Sequence, residues 1–162
     1  MTETGDYMLR GKRVPFLSDQ DIYMVAQGVA KFFGCKAKTL QAMGFFIEDI
    51  QHKMPIVIDV RNDNDPIFLV ARALCDPREA KITLPETLYL RITDGDTEAA
   101  FVLCHELGHF FLGHDPVLHM EPDVPPCKNE NSEYQADLFA EWMMQRIAGK
   151  DWRKAAVQLN LF

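Results

Sequence analysis

Within the stretch "FVLCHELGHFFLGHD" (residues 101–115), His105, Glu106 and His109 form H-E-x-x-H, and His114 follows. Histidines at i and i+4 of a helix lie one turn apart on one face, so both imidazoles can meet a single ion. Zinc takes such a pair at about 2.0–2.1 Å and wants a third protein ligand, with water at the open position. Glu106 adjoins the first ligand, which places it beside that water and off the metal. There it can accept the water's proton and deliver it to a leaving amine, the division of roles of a metal-assisted peptide hydrolase. The five-residue pattern also arises by chance on ordinary helices, so a third ligand has to decide the reading.

His114 is the nearer candidate, but the three-histidine pattern H-E-x-x-H-x-x-G-x-x-H puts its Gly three and its His six residues after the second His. Here Gly113 and His114 stand one residue off that register on either side. The sequence favours His114 as a partly exposed residue whose cation suits a helix C-terminus, with a substrate-side role as the alternative. The better candidate is in "NENSEYQADLFAEW" (residues 129–142), where Glu133 and Asp137 are again at i and i+4. Glu133 can supply a carboxylate oxygen, and Asp137 can accept a hydrogen bond from the far nitrogen of a ligand imidazole, fixing its tautomer. Taken alone, Glu130, Glu133, Asp137 and Glu141 would also suit a solvated acidic stripe. Combined with H-E-x-x-H, the expected ligand set is His105, His109 and Glu133, holding one Zn2+ per chain.

These residues must be held by the elements around them. Ser18 opens a helix with Asp19 and Asp21 in its first turn, and Ile22, Val25, Ala26, Val29 and Phe33 recur on one face. A second helix is expected from Thr39 to about His52, before Pro55. Ile56–Val60, Ile67–Ala73, Ala80–Leu84 and Leu88–Ile92 read as strands, with turn residues at 61–66 between the first two. Asp94-Gly95-Asp96-Thr97 leads into the histidine-bearing helix, which Gly113 and Pro116 should end. A Pro-rich loop (116–128) precedes a helix from about Asn131 to Ala148, and a last helix is expected from Asp151 to Leu159. Leu103, Leu107 and Phe110 should be core, and Gly108 should admit a neighbouring strand. The strand from Tyr89 to Ile92 would present an edge to an extended peptide, with Tyr89 as a hydrogen-bond donor to the reacting group. Residues 1–17 read as an N-terminal arm and 18–162 as a single domain.

Bulk properties restrict the alternatives. At 162 residues, 48% hydrophobic and 25% charged, the chain has the composition of a folded domain with a real core. Its apolar runs are too short to span a bilayer, and the acidic start lacks the basic-then-apolar order of a signal peptide. The four cysteines form no C-x-x-C pair, so reduced thiols in a cytoplasmic protein are expected. A net charge of −7 disfavours direct nucleic-acid binding. The two helices of residues 18–52 leave a DNA-binding regulator as a minor alternative, although the second carries Phe45, Phe46, Glu48 and Asp49 where basic residues are wanted.

"HELGHFFLGH" followed by "SEYQADLFAEWMM" resembles the ImmA/IrrE family of zinc metallo-endopeptidases, whose members pair H-E-[LIF]-G-H with a downstream E-x-x-A-[ND]-x-F-A helix in a gluzincin-type arrangement. The second element here is Glu133 to Ala140. The resemblance implies an α+β zincin-like domain, a small twisted sheet packed against the H-E-x-x-H helix and the Glu-bearing helix, with Glu133 as third ligand and Glu106 as catalytic base. Family members cleave partner repressors of the helix-turn-helix type, so a regulatory protease with such a substrate is expected by analogy. A catalytically inactive module that sequesters a transcription factor is the alternative.

Overall fold

The computed structural model describes residues 7–114 and 124–154. Five α-helices and a three-stranded sheet make up an α+β fold among these residues. The elements run α1 (Asp19–Phe32), α2 (Met43–Lys53), β1 (Val57–Arg61), β2 (Leu74–Asp76), β3 (Lys81–Pro85), α3 (Glu86–Thr93), α4 (Thr97–Phe111) and α5 (Ser132–Ala148). Among the described residues, no helix is long and apolar enough to cross a membrane.

Local chemistry sets the helix starts. Ser18 and Asp21 form a reciprocal capping box on α1. Asp96 caps α4 by accepting from the Ala99 N–H, and the Asn131 side chain caps α5 by accepting from the Glu133 N–H at 3.0 Å. A 3-10 turn (Thr39–Ala42) precedes α2, so the second expected helix begins as a tighter turn. In the sheet, β3 is central, parallel to β1 (Ile58 opposite Ile82) and antiparallel to β2 (Cys75 opposite Ile82). This leaves β2 as an edge strand, and it is the strand that contacts α4.

Two expected strands are not strands. Ile67–Ala73 instead opens with a 3-10 turn (Pro66–Leu69): the Asp65 carboxylate accepts from the Ile67 N–H and Pro66 pre-sets the turn backbone. Leu69 and Val70 are then 87% and 84% exposed, and pairing begins only at Leu74. Leu88–Ile92 is the middle of α3. Leu88, Leu90 and Ile92 alternate as strand residues would, but the helix buries Leu88 and Ile92, one turn apart, and leaves Leu90 54% exposed. Tyr89 therefore sits on a helix, partly buried against the core. The expected final helix runs largely outside the described residues.

The core joins all layers: Ile22, Ile50, Ile82, Leu103, Phe139 and Met143 are fully buried parts of one cluster. Leu103 and Leu107 are buried as expected, with Phe110 partly so. Within it α4 packs closely on α5. A Cβ built on Gly108 would lie 3.1 Å from the Ala136 Cα, 3.2 Å from the Ala136 carbonyl oxygen and 3.1 Å from Phe139 Cδ1. Gly108 thus admits the backbone of a helix rather than of a strand. Two of the three contacts are backbone and cannot swing aside. Gly108→Ala is expected to lower stability by about 1–2 kcal/mol in denaturant unfolding, because overpacking outweighs the roughly 1 kcal/mol that alanine gains in helix propensity.

Candidate metal centre

The crossing at Gly108 puts one helical turn of α4 opposite the first two turns of α5. His105 and His109 project from α4, and Glu133 is held in the first turn of α5 by the Asn131 cap. His105 Nε2 lies 3.0 Å from one Glu133 oxygen and His109 Nε2 lies 3.4 Å from the other. The two Nε2 atoms are 3.1 Å apart. Ligands about 2.1 Å from one ion in tetrahedral arrangement stand about 3.4 Å from each other, so the spacing of these three donors fits a four-coordinate divalent cation such as zinc. The three groups form a cluster able to hold a metal, as the spacing of residue types in the sequence leads one to expect.

The outward nitrogens of both imidazoles are also engaged. His105 Nδ1 is 2.7 Å from Asp137 Oδ1, the contact expected from the i, i+4 relation of Glu133 and Asp137. His109 Nδ1 is 2.8 Å from His114 Nδ1, and His114 Nε2 is 2.7 Å from the Gln135 side-chain oxygen. The Gln135 amide nitrogen donates to the carbonyls of Pro15 (3.0 Å) and Asn129 (2.5 Å), which turns its oxygen toward His114. That oxygen can only accept, so His114 carries its proton on Nε2 and its Nδ1 accepts from His109. His109 is then left with an Nε2 lone pair facing Glu133 and His105.

This overturns the expectation for His114. It is 6% exposed, and burial pushes its pKa down to about 4 against the opposing hydrogen bond to Gln135, so it is neutral. Gly113 makes this possible. Its φ of +64° turns the chain back after α4, and the His114 N–H bonds the His109 carbonyl at 3.0 Å. Tyr89, the other expected substrate-side residue, lies on α3 and is not among the residues lining the cleft. Gln135 was not singled out by the sequence: it falls two residues from both Glu133 and Asp137, on no shared helical face.

The carboxylates differ in environment. Glu133 lies well below the usual carboxylate range, chiefly because the His105 imidazole hydrogen-bonds it. Burial works against ionisation of Asp137, but His105 and then Arg10 hold it low. Glu106 is 8% exposed, and burial raises its pKa although the two imidazoles act the other way. The Cys75 backbone N–H on β2 donates to it. For His105, burial disfavours the cation, yet the hydrogen bonds to Asp137 and Glu133 outweigh it and lift the pKa to about 9 in the absence of metal. The donors and Glu106 line a cleft of about 420 Å³, walled by Gly11 and Lys12 on one side and by Ala73, Leu74 and Cys75 at β2.

Residues 70–148 match the family model of the IrrE N-terminal-like domain, Peptidase_M78. That span contains β2, β3 and α3 to α5, hence every residue of the cluster. No curated protein and no solved structure matches the chain.

Two predictions follow from the protonation pattern. Metal binding requires His105 to lose the proton that Glu133 and Asp137 stabilise, so zinc uptake at pH 7 should release about one proton. Affinity should rise about tenfold per pH unit toward pH 9 and flatten above it; calorimetry in buffers of differing ionisation enthalpy measures both. Replacing His114 by Leu strands the His109 Nδ1–H and should weaken zinc binding about 10- to 100-fold, read by competition with a chromophoric chelator.

Proposed function

Because residues 70–148 belong to the Peptidase_M78 family of IrrE N-terminal-like domains, and thus to the ImmA/IrrE proteins, we propose that this peptidase-like, zincin-like domain is a zinc-dependent endopeptidase. Its expected role is regulatory, the cleavage of a partner protein such as a helix-turn-helix repressor in the cytoplasm. The observation that carries the reading is the convergence of His105, His109 and Glu133 from two helices, with the buried Glu106 carboxyl beside them in an open cleft.

Each residue has a role in such a reaction. His105, His109 and Glu133 hold the ion, which when bound would polarise the scissile carbonyl and bring the pKa of a water toward about 7. Glu106 takes the proton of the attacking water and passes it to the leaving amine. Its raised pKa suits a group that must accept and then donate near neutrality. Asp137 and His114 keep the two imidazoles in the tautomers that point Nε2 at the ion. The cleft runs along β2, an edge strand, so an extended segment of the partner can add to the sheet there. This assigns to β2 the role that the sequence suggested for residues 89–92. The four unpaired cysteines fit a reducing compartment.

Immobilised Glu106→Gln protein should capture the partner from a lysate, and zinc-loaded wild-type protein should then cut it. Glu106→Gln is expected to keep its zinc and to cleave the captured partner at least about a hundredfold more slowly. Cleavage at the wild-type rate would remove Glu106 from the reaction. A partner that binds zinc-loaded wild-type protein and is never cut would favour the sequestering module.

A further inference from the structure

The segment of residues 7–17 lies outside the family match, yet it is laid along the start of α5, where Glu133, Gln135 and Asp137 sit. Arg13 and Asn131 form an antiparallel bridge. The Val14 N–H donates to the Glu130 carbonyl at 2.8 Å, and the Ser132 N–H donates to the Lys12 carbonyl at 3.0 Å. At Gly11 the strap presses on the ligand itself: an added Cβ would stand 2.6 Å from Glu133 Cγ and 2.5 Å from Ser132 Oγ. Two further contacts reach the imidazoles. Arg10 donates to Asp137 Oδ2 at 3.2 Å while Asp137 Oδ1 bonds His105. The Pro15 carbonyl accepts from Gln135, whose oxygen orients His114 and through it His109.

We infer that residues 10–15 are a built-in part of the metal centre: Arg10, Gly11 and the Pro15 carbonyl position all three ligands, His105 through Asp137, Glu133 by direct contact, and His109 through Gln135 and His114. Arg10 and Gly11 are positioning residues: they act on the ligands through Asp137 and Glu133. The inference rests on the metal-site reading above and adds to it that the family-matched segment is not sufficient for a full-strength site. The physical reason is that without the Pro15 carbonyl the Gln135 amide keeps one acceptor, Asn129, in place of two, which loosens the hold on its oxygen and through it on the tautomer of His109. A lifted strap also frees Glu133 to take other rotamers, so the donor set loses its preorganisation.

The test uses the full chain and two metals, zinc and cobalt(II). Zinc dissociation constants come from competition with a chromophoric chelator, and cobalt(II) supplies a visible absorption spectrum that reports ligand geometry. Gly11→Ala, whose added methyl would crowd Glu133 and Ser132, should bind zinc about tenfold more weakly or worse with an altered cobalt spectrum, while the zinc-free protein still unfolds cooperatively at a modestly lower midpoint. Arg10→Ala, at a side chain 60% exposed, should weaken zinc binding about two- to fivefold without affecting folding. Should Gly11→Ala fail to fold, Arg10→Ala decides by the same two readouts. Dissociation constants within the error of wild type and superimposable cobalt spectra would overturn the inference while leaving the site intact. A wild-type protein that binds zinc no better than His105→Ala removes the metal-site reading itself, and this inference with it.

Discussion

The structure depends on one close approach, that of α4 to α5 at Gly108. Residues on each side of this contact carry the chemistry: His109 follows Gly108, and Gln135 and Asp137 flank Ala136. A side chain at the crossing would push against the Ala136 backbone and so displace the groups that the two helices bring together. The apolar residues below the crossing (Leu103, Leu107, Phe139, Ala140 and Met143) are fully buried and hold the pair together. Packing energy therefore fixes a distance that the polar groups alone would not hold, since each of them prefers water.

Burying so many polar groups needs a partner for each. The chain meets this with two relays that run from the imidazoles to the same N-terminal segment, one through Asp137 to Arg10 and one through His114 and Gln135 to the Pro15 carbonyl. The first contains a carboxylate and tolerates a charged imidazole. The second contains only neutral groups and fixes direction by donor and acceptor count alone. The histidines of one H-E-x-x-H motif thus sit in different surroundings, and two carboxylate partners raise the pKa of His105 against its burial.

What the sequence makes legible follows from where the signal is local. H-E-x-x-H and the Glu133–Asp137 pair are spacings within single helices, and the structure places each on one helix, α4 and α5. Ile56–Val60 and Ala80–Leu84 are recognised within a residue because short runs rich in β-branched residues differ from their polar and Pro-containing flanks. Three of the failures lie where a distant contact decides. Leu88, Leu90 and Ile92 satisfy a period of two as well as one of nearly four, and only burial on the sheet decides between them. His114 reads as an exposed cap residue because nothing in its neighbours records that Gln135, twenty-one positions on, awaits it. The strap is illegible for the same reason: residues 7–17 carry no period, and their order derives from backbone bonds to α5.

The two glutamates show how one cleft obtains opposite behaviour from one side-chain type. Glu133 stands at the N-terminal turn of α5, where the helix dipole and the His105 imidazole favour its anion, so it keeps its negative charge. Glu106 lies in mid-helix on α4, away from either end of the dipole, and is buried with one backbone N–H from β2 as a hydrogen-bond partner. Desolvation there outweighs the neighbouring imidazoles and makes its proton exchangeable at lower cost. Under the proposed roles, exchanging the two environments would disfavour the anion of the ligand and favour that of the base. The assignment of roles thus resides in backbone position, in which turn of which helix each carboxyl occupies, and the identical side chains follow from it.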